Sequence, residues 1–152
     1  TMMGTTSGEM TRIIGKLAHQ PVAYGANCGV GSSDLIRTLM GFGKGSGPLI
    51  AKGNAGIPKY HDGHIHYNGT PELMADYAVL ARNAGATIIG GCCGTTPDHL
   101  RAMRAALEST PRGPAAPLAE VAERLGGFSS DSDGTDGKGP TRDRTSRRRA
   151  RV

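Results

Sequence analysis

Residues 86–100 run Ala86-Thr87-Ile88-Ile89-Gly90-Gly91-Cys92-Cys93-Gly94-Thr95-Thr96-Pro97-Asp98-His99-Leu100. An apolar strand candidate, residues 86–90, passes directly into a glycine-wrapped pair of cysteines. A helix start follows: Thr96 as N-cap, Pro97 at the first helical position and Asp98 in the first turn. Leu100, Met103 and Leu107 then recur at helical spacing. One strand, one glycine-rich junction and one helix make up the repeating unit of a parallel α/β sheet.

Upstream the unit recurs. Thr70, Pro71 and Glu72 open a helix whose face carries Leu73, Tyr77, Leu80 and Ala84 and which stops at Gly85. Residues 9–19 place Met10, Ile13, Ile14 and Leu17 on one face, and residues 32–42 do the same with Leu35, Ile36, Leu39 and Met40. Short apolar runs at 21–26 and 48–52 read as strands. Between them and the third strand, Asp62-Gly63 predicts a hairpin over residues 60–65, because a two-residue turn of this kind needs positive φ. The predicted order is helix, strand, helix, strand, helix, strand, helix, with the hairpin inserted after the second strand. The glycines of residues 41–47 match neither phosphate-loop spacing and read as a helix exit and turn.

Each predicted strand runs into a polar, glycine-rich segment: Gly25-Ala26-Asn27-Cys28-Gly29, Gly53-Asn54-Ala55-Gly56 and Gly90-Gly91-Cys92-Cys93-Gly94. Parallel α/β folds bind ligands at the C-terminal ends of their strands, so these three segments should meet in space. Every cysteine of the chain lies in two of them.

Charge narrows the function classes. The sequence has 18 basic and 13 acidic residues, a net +5. Residues 141–152 hold six arginines and one aspartate, which account for that excess by themselves. The other 140 residues are neutral, which argues against nucleic acid as the main partner. No run of 18 apolar residues offers a membrane span, and no charged-then-apolar leader opens the sequence, so a cytoplasmic location is expected. Glycine, at 24 of 152, is more than twice its usual share and suits many tight turns and close backbone approaches. Beyond residue 108 comes a proline-rich extension, 109–128, with a short helical stretch at 118–125. Residues 129–152 read as a disordered basic tail, since little there can repay the entropy of ordering.

Three cysteines, an odd number without an export signal, point to reduced thiols. Three thiols from two strand ends suit a catalytic zinc, with three protein ligands and one open position. Adjacent cysteines on a regular strand would point to opposite faces, so Cys92 and Cys93 can share an ion only beyond the strand's end. Buried structural cysteines are the plain alternative; a mutual Cys92–Cys93 disulfide fits neighbouring residues poorly. A zinc held by three thiolates favours a thiol as fourth ligand over water, which points to thiol alkylation. His61, His64 and His66 offer a second metal-ligand set, but a polar hairpin showing its histidines to water is the simpler reading.

These three segments, the last extended through Thr95-Thr96-Pro97 and the middle one through Ile57-Pro58, resemble the signature segments of the homocysteine S-methyltransferase family, over about residues 1–108. That family includes betaine–homocysteine methyltransferase and the homocysteine domain of methionine synthase. The resemblance implies a (β/α)8 TIM barrel with zinc at its C-terminal mouth, Cys28, Cys92 and Cys93 as ligands, and Asn27 and Asn54 in supporting substrate-binding roles. It implies homocysteine and a small methyl donor, betaine first, as partners, with methionine as product. A full barrel needs about 250 residues. The three strands here match about strands 6–8, so the expectation is the C-terminal portion of a barrel, beginning at Thr1 rather than Met, with an N-terminal part missing and self-association through unpaired sheet edges. Two other outcomes are an inactive zinc-binding fragment of methionine synthase and a non-enzymatic binding module using the arginine-rich tail.

Overall fold

The computed structural model describes residues 4–29, 31–45 and 47–130. In chain order the elements are α1 (Ser7–Ile14), β1 (Tyr24–Cys28), α2 (Ser32–Phe42), β2 (Leu49–Gly53), β3 (Pro58–His61), β4 (His64–Tyr67), α3 (Pro71–Asn83), β5 (Ala86–Gly91), α4 (Pro97–Ser109) and α5 (Leu118–Leu125). The expected alternation holds, with the hairpin where the sequence places it. Its turn has Asp62 at φ 49° and Gly63 at φ 80°, the double positive φ that a two-residue turn requires.

β1, β2 and β5 form one parallel sheet in the order β1-β2-β5. Among the described residues the fold is a mixed α/β arrangement of five helices with this parallel sheet. Cys28 pairs with Gly53, and Gly53 pairs with Gly91. Between β2 and β5 the register shifts after Leu49, so that Leu49 faces Ala86 but Ile50 faces Ile88. Unshifted, Gly53 would face Gly90. The extra residue draws Cys92 back by roughly 3.3 Å, one residue of strand, toward the level of Cys28.

One face of the sheet carries the core. Tyr24, Leu49, Ala51 and Ala86 pack with Leu35, Ile36 and Leu39 of α2, with Met74, Tyr77, Ala78 and Ala81 of α3, and with Met103 of α4. The small residues let helices lie close to the strands. Val121 and Leu125 of α5 enter the same core, so the extension of residues 109–128 shares its packing with the first 108. The opposite face, with Gly25, Asn27, Ile50, Lys52 and Ile88, is uncovered among the described residues, and Ile88 is 49% exposed.

Several boundaries differ from expectation. The first helix ends at Ile14, not residue 19, because the chain turns at Gly15; Ile14 is buried, while Ile13 and Leu17 are exposed rather than part of a continuous apolar face. β1 starts at Tyr24 rather than residue 21 and runs through Cys28. Leu100, expected on the buried face of α4, is 48% exposed. At the other end, Ser129 N–H donates to Asp34 and Arg37 donates to the Ser130 carbonyl, fastening residues 126–130 to α2. The rest of the expected disordered tail and its arginine cluster lie outside the described residues.

Candidate metal centre

The loop after β1, the loop after β2 and the loop after β5 converge as the strand ends predict. Cys28 ends β1 at φ 61°, a left-handed conformation that costs a residue with a Cβ about 1–2 kcal/mol and is sustained only where surroundings enforce it. β5 ends at Gly91, so Cys92 and Cys93 lie beyond the regular strand and escape its alternation. Cys92 N–H donates to the Gly53 carbonyl (2.7 Å), Ala55 N–H donates to the Cys93 carbonyl (2.9 Å), and Thr95 N–H returns to the Cys92 carbonyl (3.2 Å). Gly94 sits at φ 75°, and a Cβ there would overlap the Tyr67 ring. Only glycine meets both demands.

The result is a cluster of three sulfurs. Cys28 Sγ lies 3.8 Å from Cys93 Sγ, and Cys92 Sγ lies 3.9 Å from Cys93 Sγ. All three fall within 4.8 Å of one another. Tetrahedral zinc with bonds of about 2.3 Å to sulfur sets ligand sulfurs about 3.8 Å apart, which the two separations from Cys93 match. Cys28 and Cys92 are half-buried and Cys93 is exposed, and all three are free thiols. Among the described residues no other group of three histidine, cysteine or carboxylate side chains is close enough to share an ion.

Surroundings bias the thiols differently. Burial pushes the Cys92 thiol up, but hydrogen bonds from Cys93, Cys28 and Asn27 outweigh it and hold Cys92 below the usual thiol value. A hydrogen bond from Tyr67 pulls Cys93 down; the adjoining Cys28 and Cys92 sulfurs, with partial burial, overcome it and leave Cys93 above that value. The same hydrogen bond to Cys93, together with burial and the nearby sulfurs, raises the Tyr67 phenol. A divalent cation would relieve this crowding of thiolates.

Asn27 is exposed on the uncovered face of β1, beside Cys92. Asn54 lies beneath the cluster. It is 1% exposed, and its side-chain amide is taken up by protein partners: Nδ2 donates to the Gly29 carbonyl (3.0 Å) and Oδ1 accepts from Cys93 N–H (3.2 Å). His61, His64 and His66 are exposed on the hairpin, as the simpler reading expects, and His61 pairs with Asp62 at 2.8 Å.

Three contributors escape the sequence reading. Tyr67, at the base of the hairpin opposite Pro58, lies beside Cys93 with its ring against Gly94. Tyr77, wholly buried, accepts Gly53 N–H on its phenol oxygen at 2.9 Å and so anchors the residue whose carbonyl accepts Cys92 N–H. His99, in the first turn of α4, accepts Thr96 N–H at Nδ1 (3.0 Å) and reaches the Gly69 carbonyl through Nε2 (3.0 Å), joining the loop before α3 to the loop after β5. Only the placement of His99 three residues after Thr96 carries a local signal, that of a residue able to cap a helix start.

Residues 1–107 match the homocysteine S-methyltransferase family. The chain belongs to this family, one of methyltransferases that act on homocysteine. The three cysteines form a possible metal site within that matched region.

Proposed function

We propose that this chain carries the zinc centre of a homocysteine S-methyltransferase, with Cys28, Cys92 and Cys93 as the protein ligands. The observation that carries the reading is the sulfur spacing of 3.8 and 3.9 Å, drawn from two loops 64 residues apart in sequence and matched to a tetrahedral thiolate site. Three ligands leave zinc one short of its usual four. When bound, zinc supplies a Lewis acid that keeps an incoming thiol deprotonated near neutral pH.

The chain's own residues prepare that encounter. Cys93 is the exposed one of the three cysteines, and Tyr67 lies beside it, its ring against Gly94. Asn27, on the open face beside Cys92, is the residue we assign to the amino-acid end of homocysteine. The reaction is a displacement at carbon: a bond forms between the homocysteine sulfur and the methyl carbon as the donor's bond to that carbon breaks. Methionine and the demethylated donor are the products. Betaine is the donor we propose, on family resemblance.

The fold reading that accompanies this is the C-terminal part, about strands 6–8, of a (β/α)8 barrel over residues 1–108, followed by the 109–128 extension and the 129–152 tail. Parallel sheets bury both faces. Here β1 and β5 each have one partner, and the face bearing Asn27, Lys52 and Ile88 is open among the described residues. That observation favours a second reading, in which the metal ligands are present but much of the substrate surface comes from strands outside this set. Association through the two edges is then expected. No described helix is long and apolar enough to cross a membrane; a cytoplasmic site, where thiols stay reduced, is the location we propose.

Elemental analysis tests the centre directly. One zinc per chain is expected in the wild type and none in Cys92→Ser; unchanged metal content in the variant would end the proposal. Methyl transfer to homocysteine is then assayed with betaine, S-methylmethionine and methylcobalamin in turn. Zinc bound without turnover on any of them would select the fragment reading.

A further inference from the structure

Asn54 is an unusual residue to bury. Its amide has one double donor and one acceptor, and a polar group of this kind is stable inside only when its partners are supplied. Here they come from two directions. Nδ2 donates to the carbonyl of Gly29, the residue after Cys28, and Oδ1 accepts the N–H of Cys93 itself. The residue's own carbonyl accepts Ser32 Oγ at 3.0 Å, which anchors the backbone of the middle loop to the start of α2.

The two cysteine loops depend on this residue unequally. Two main-chain bonds, Cys92 to Gly53 and Ala55 to Cys93, tie the β5 loop to the β2 loop whatever side chain stands at 54. On the other side, the Asn54 amide ties the β2 loop to Gly29, the residue following Cys28. Cys28 stands at the last position of β1 in a left-handed conformation, so its sulfur swings with any movement of Gly29. A group that bridges Gly29 to Cys93 therefore governs the Cys28–Cys93 separation.

We propose that Asn54 is a positioning residue of the metal centre, whose buried amide clamps the β1 loop to the β5 loop and sets the spacing of Cys28 and Cys93. This rests on the reading of the three cysteines as metal ligands, and it assigns Asn54 to the support of the site rather than to contact with substrate. An aspartate would keep the acceptor for Cys93 but set a carboxylate against the Gly29 carbonyl. An alanine would free the Gly29 carbonyl and leave the Cys93 N–H without its acceptor, while the main-chain bonds still hold the β5 loop to the β2 loop.

The test uses the full chain loaded with cobalt(II), whose thiolate charge-transfer bands report the ligand geometry, and with zinc under chelator competition. Asn54→Ala is expected to bind zinc about 10–100-fold more weakly, the range for loss of a group that orients metal ligands, and to weaken the cobalt–thiolate bands. Asn54→Asp is expected to share the defect. Met103→Ala, a core truncation in α4 remote from the cysteines, serves as the control for lost stability and is expected to keep wild-type affinity when folded. Wild-type affinity in Asn54→Ala, or an equal loss in Met103→Ala, overturns the proposal.

A measurement on the wild type stands in for any variant that does not fold. In the metal-free full chain the clamp predicts a Cys93 amide protected from hydrogen exchange, and Cys28 readily bridged to Cys93 by a short bifunctional thiol reagent. Free exchange at Cys93 with no bridging overturns the clamp. A wild type that takes up no zinc or cobalt, yet shows both signs, refutes the metal-site reading and leaves the clamp standing.

Discussion

Replacing Tyr77 by phenylalanine removes one oxygen and little else. The side chain is fully buried, and its phenol oxygen accepts Gly53 N–H at 2.9 Å. Phenylalanine keeps the packing of the ring, whose tip already lies 2.9 Å from where a Cβ on Gly53 would stand. What remains is a buried N–H without an acceptor, which costs about 1–3 kcal/mol. For a chain of this length that lowers the melting temperature by roughly 2–12 °C. A second signature separates this cause from loose packing. Burial holds the Tyr77 phenol far above its ordinary pKa, against the smaller opposing effect of the Gly53 hydrogen bond. The fold thus favours the neutral phenol. The contribution is fully present below the unfolded-state value near 10 and is lost as pH rises above it, by about 1.4 kcal/mol per unit. An advantage of about 2 kcal/mol over Tyr77→Phe at pH 7 should vanish by about pH 11.5. Urea unfolding of both proteins at pH 7, 10, 11 and 11.5 measures it, and other alkaline titrations cancel in the difference. Equal stability at pH 7, or a gap that stays constant up to pH 11.5, would refute the reasoning.

Gly94→Ala carries two penalties, about 1–2 kcal/mol for a Cβ at positive φ and about 1–3 kcal/mol for overlap with the Tyr67 ring. Denaturant unfolding should show their sum together with reduced zinc content, and a change under about 0.5 kcal/mol would contradict the close approach. His99→Ala leaves Thr96 N–H and the Gly69 carbonyl without their partner and should cost about 1–3 kcal/mol. In the wild type, nitrogen NMR should find the His99 proton on Nε2, because Nδ1 accepts from Thr96; a proton on Nδ1 would reverse that assignment.

The parts of the fold that the sequence makes legible are those decided within a few residues. Thr70 and Pro71 start α3 as their chemistry requires, with Thr70 Oγ1 accepting Leu73 N–H at 3.2 Å. Residues 32–42 and 118–125 coincide with α2 and α5 because apolar spacing and flanking glycines bound them locally. The meeting of the cysteines is legible for a different reason: strand-to-helix alternation fixes the direction of every strand, so residues at the C-terminal ends share one edge whatever the details of packing. Distances are not fixed in this way. The register shift after Leu49 follows from how β5 packs on β2, and nothing in the run Ala86-Thr87-Ile88 announces it. Tyr67, Tyr77 and Asn54 act across 26, 24 and 25 residues to reach Cys93, Gly53 and Gly29.

This division has a consequence for the chemistry. Cysteine identity and strand direction suffice to bring three thiols to one edge, but a tetrahedral site tolerates only a few tenths of an ångström in its sulfur spacing. Here the spacing is supported by groups that do not themselves bind metal: a phenol under Gly53, an amide between Gly29 and Cys93, a glycine that admits the Tyr67 ring. Removing a cysteine should therefore abolish the site, whereas removing one of these supports should leave three thiols at the same edge with weaker metal binding. Graded loss across Asn54, Gly94 and Tyr77 variants, against complete loss in Cys92→Ser, is the pattern that this arrangement requires.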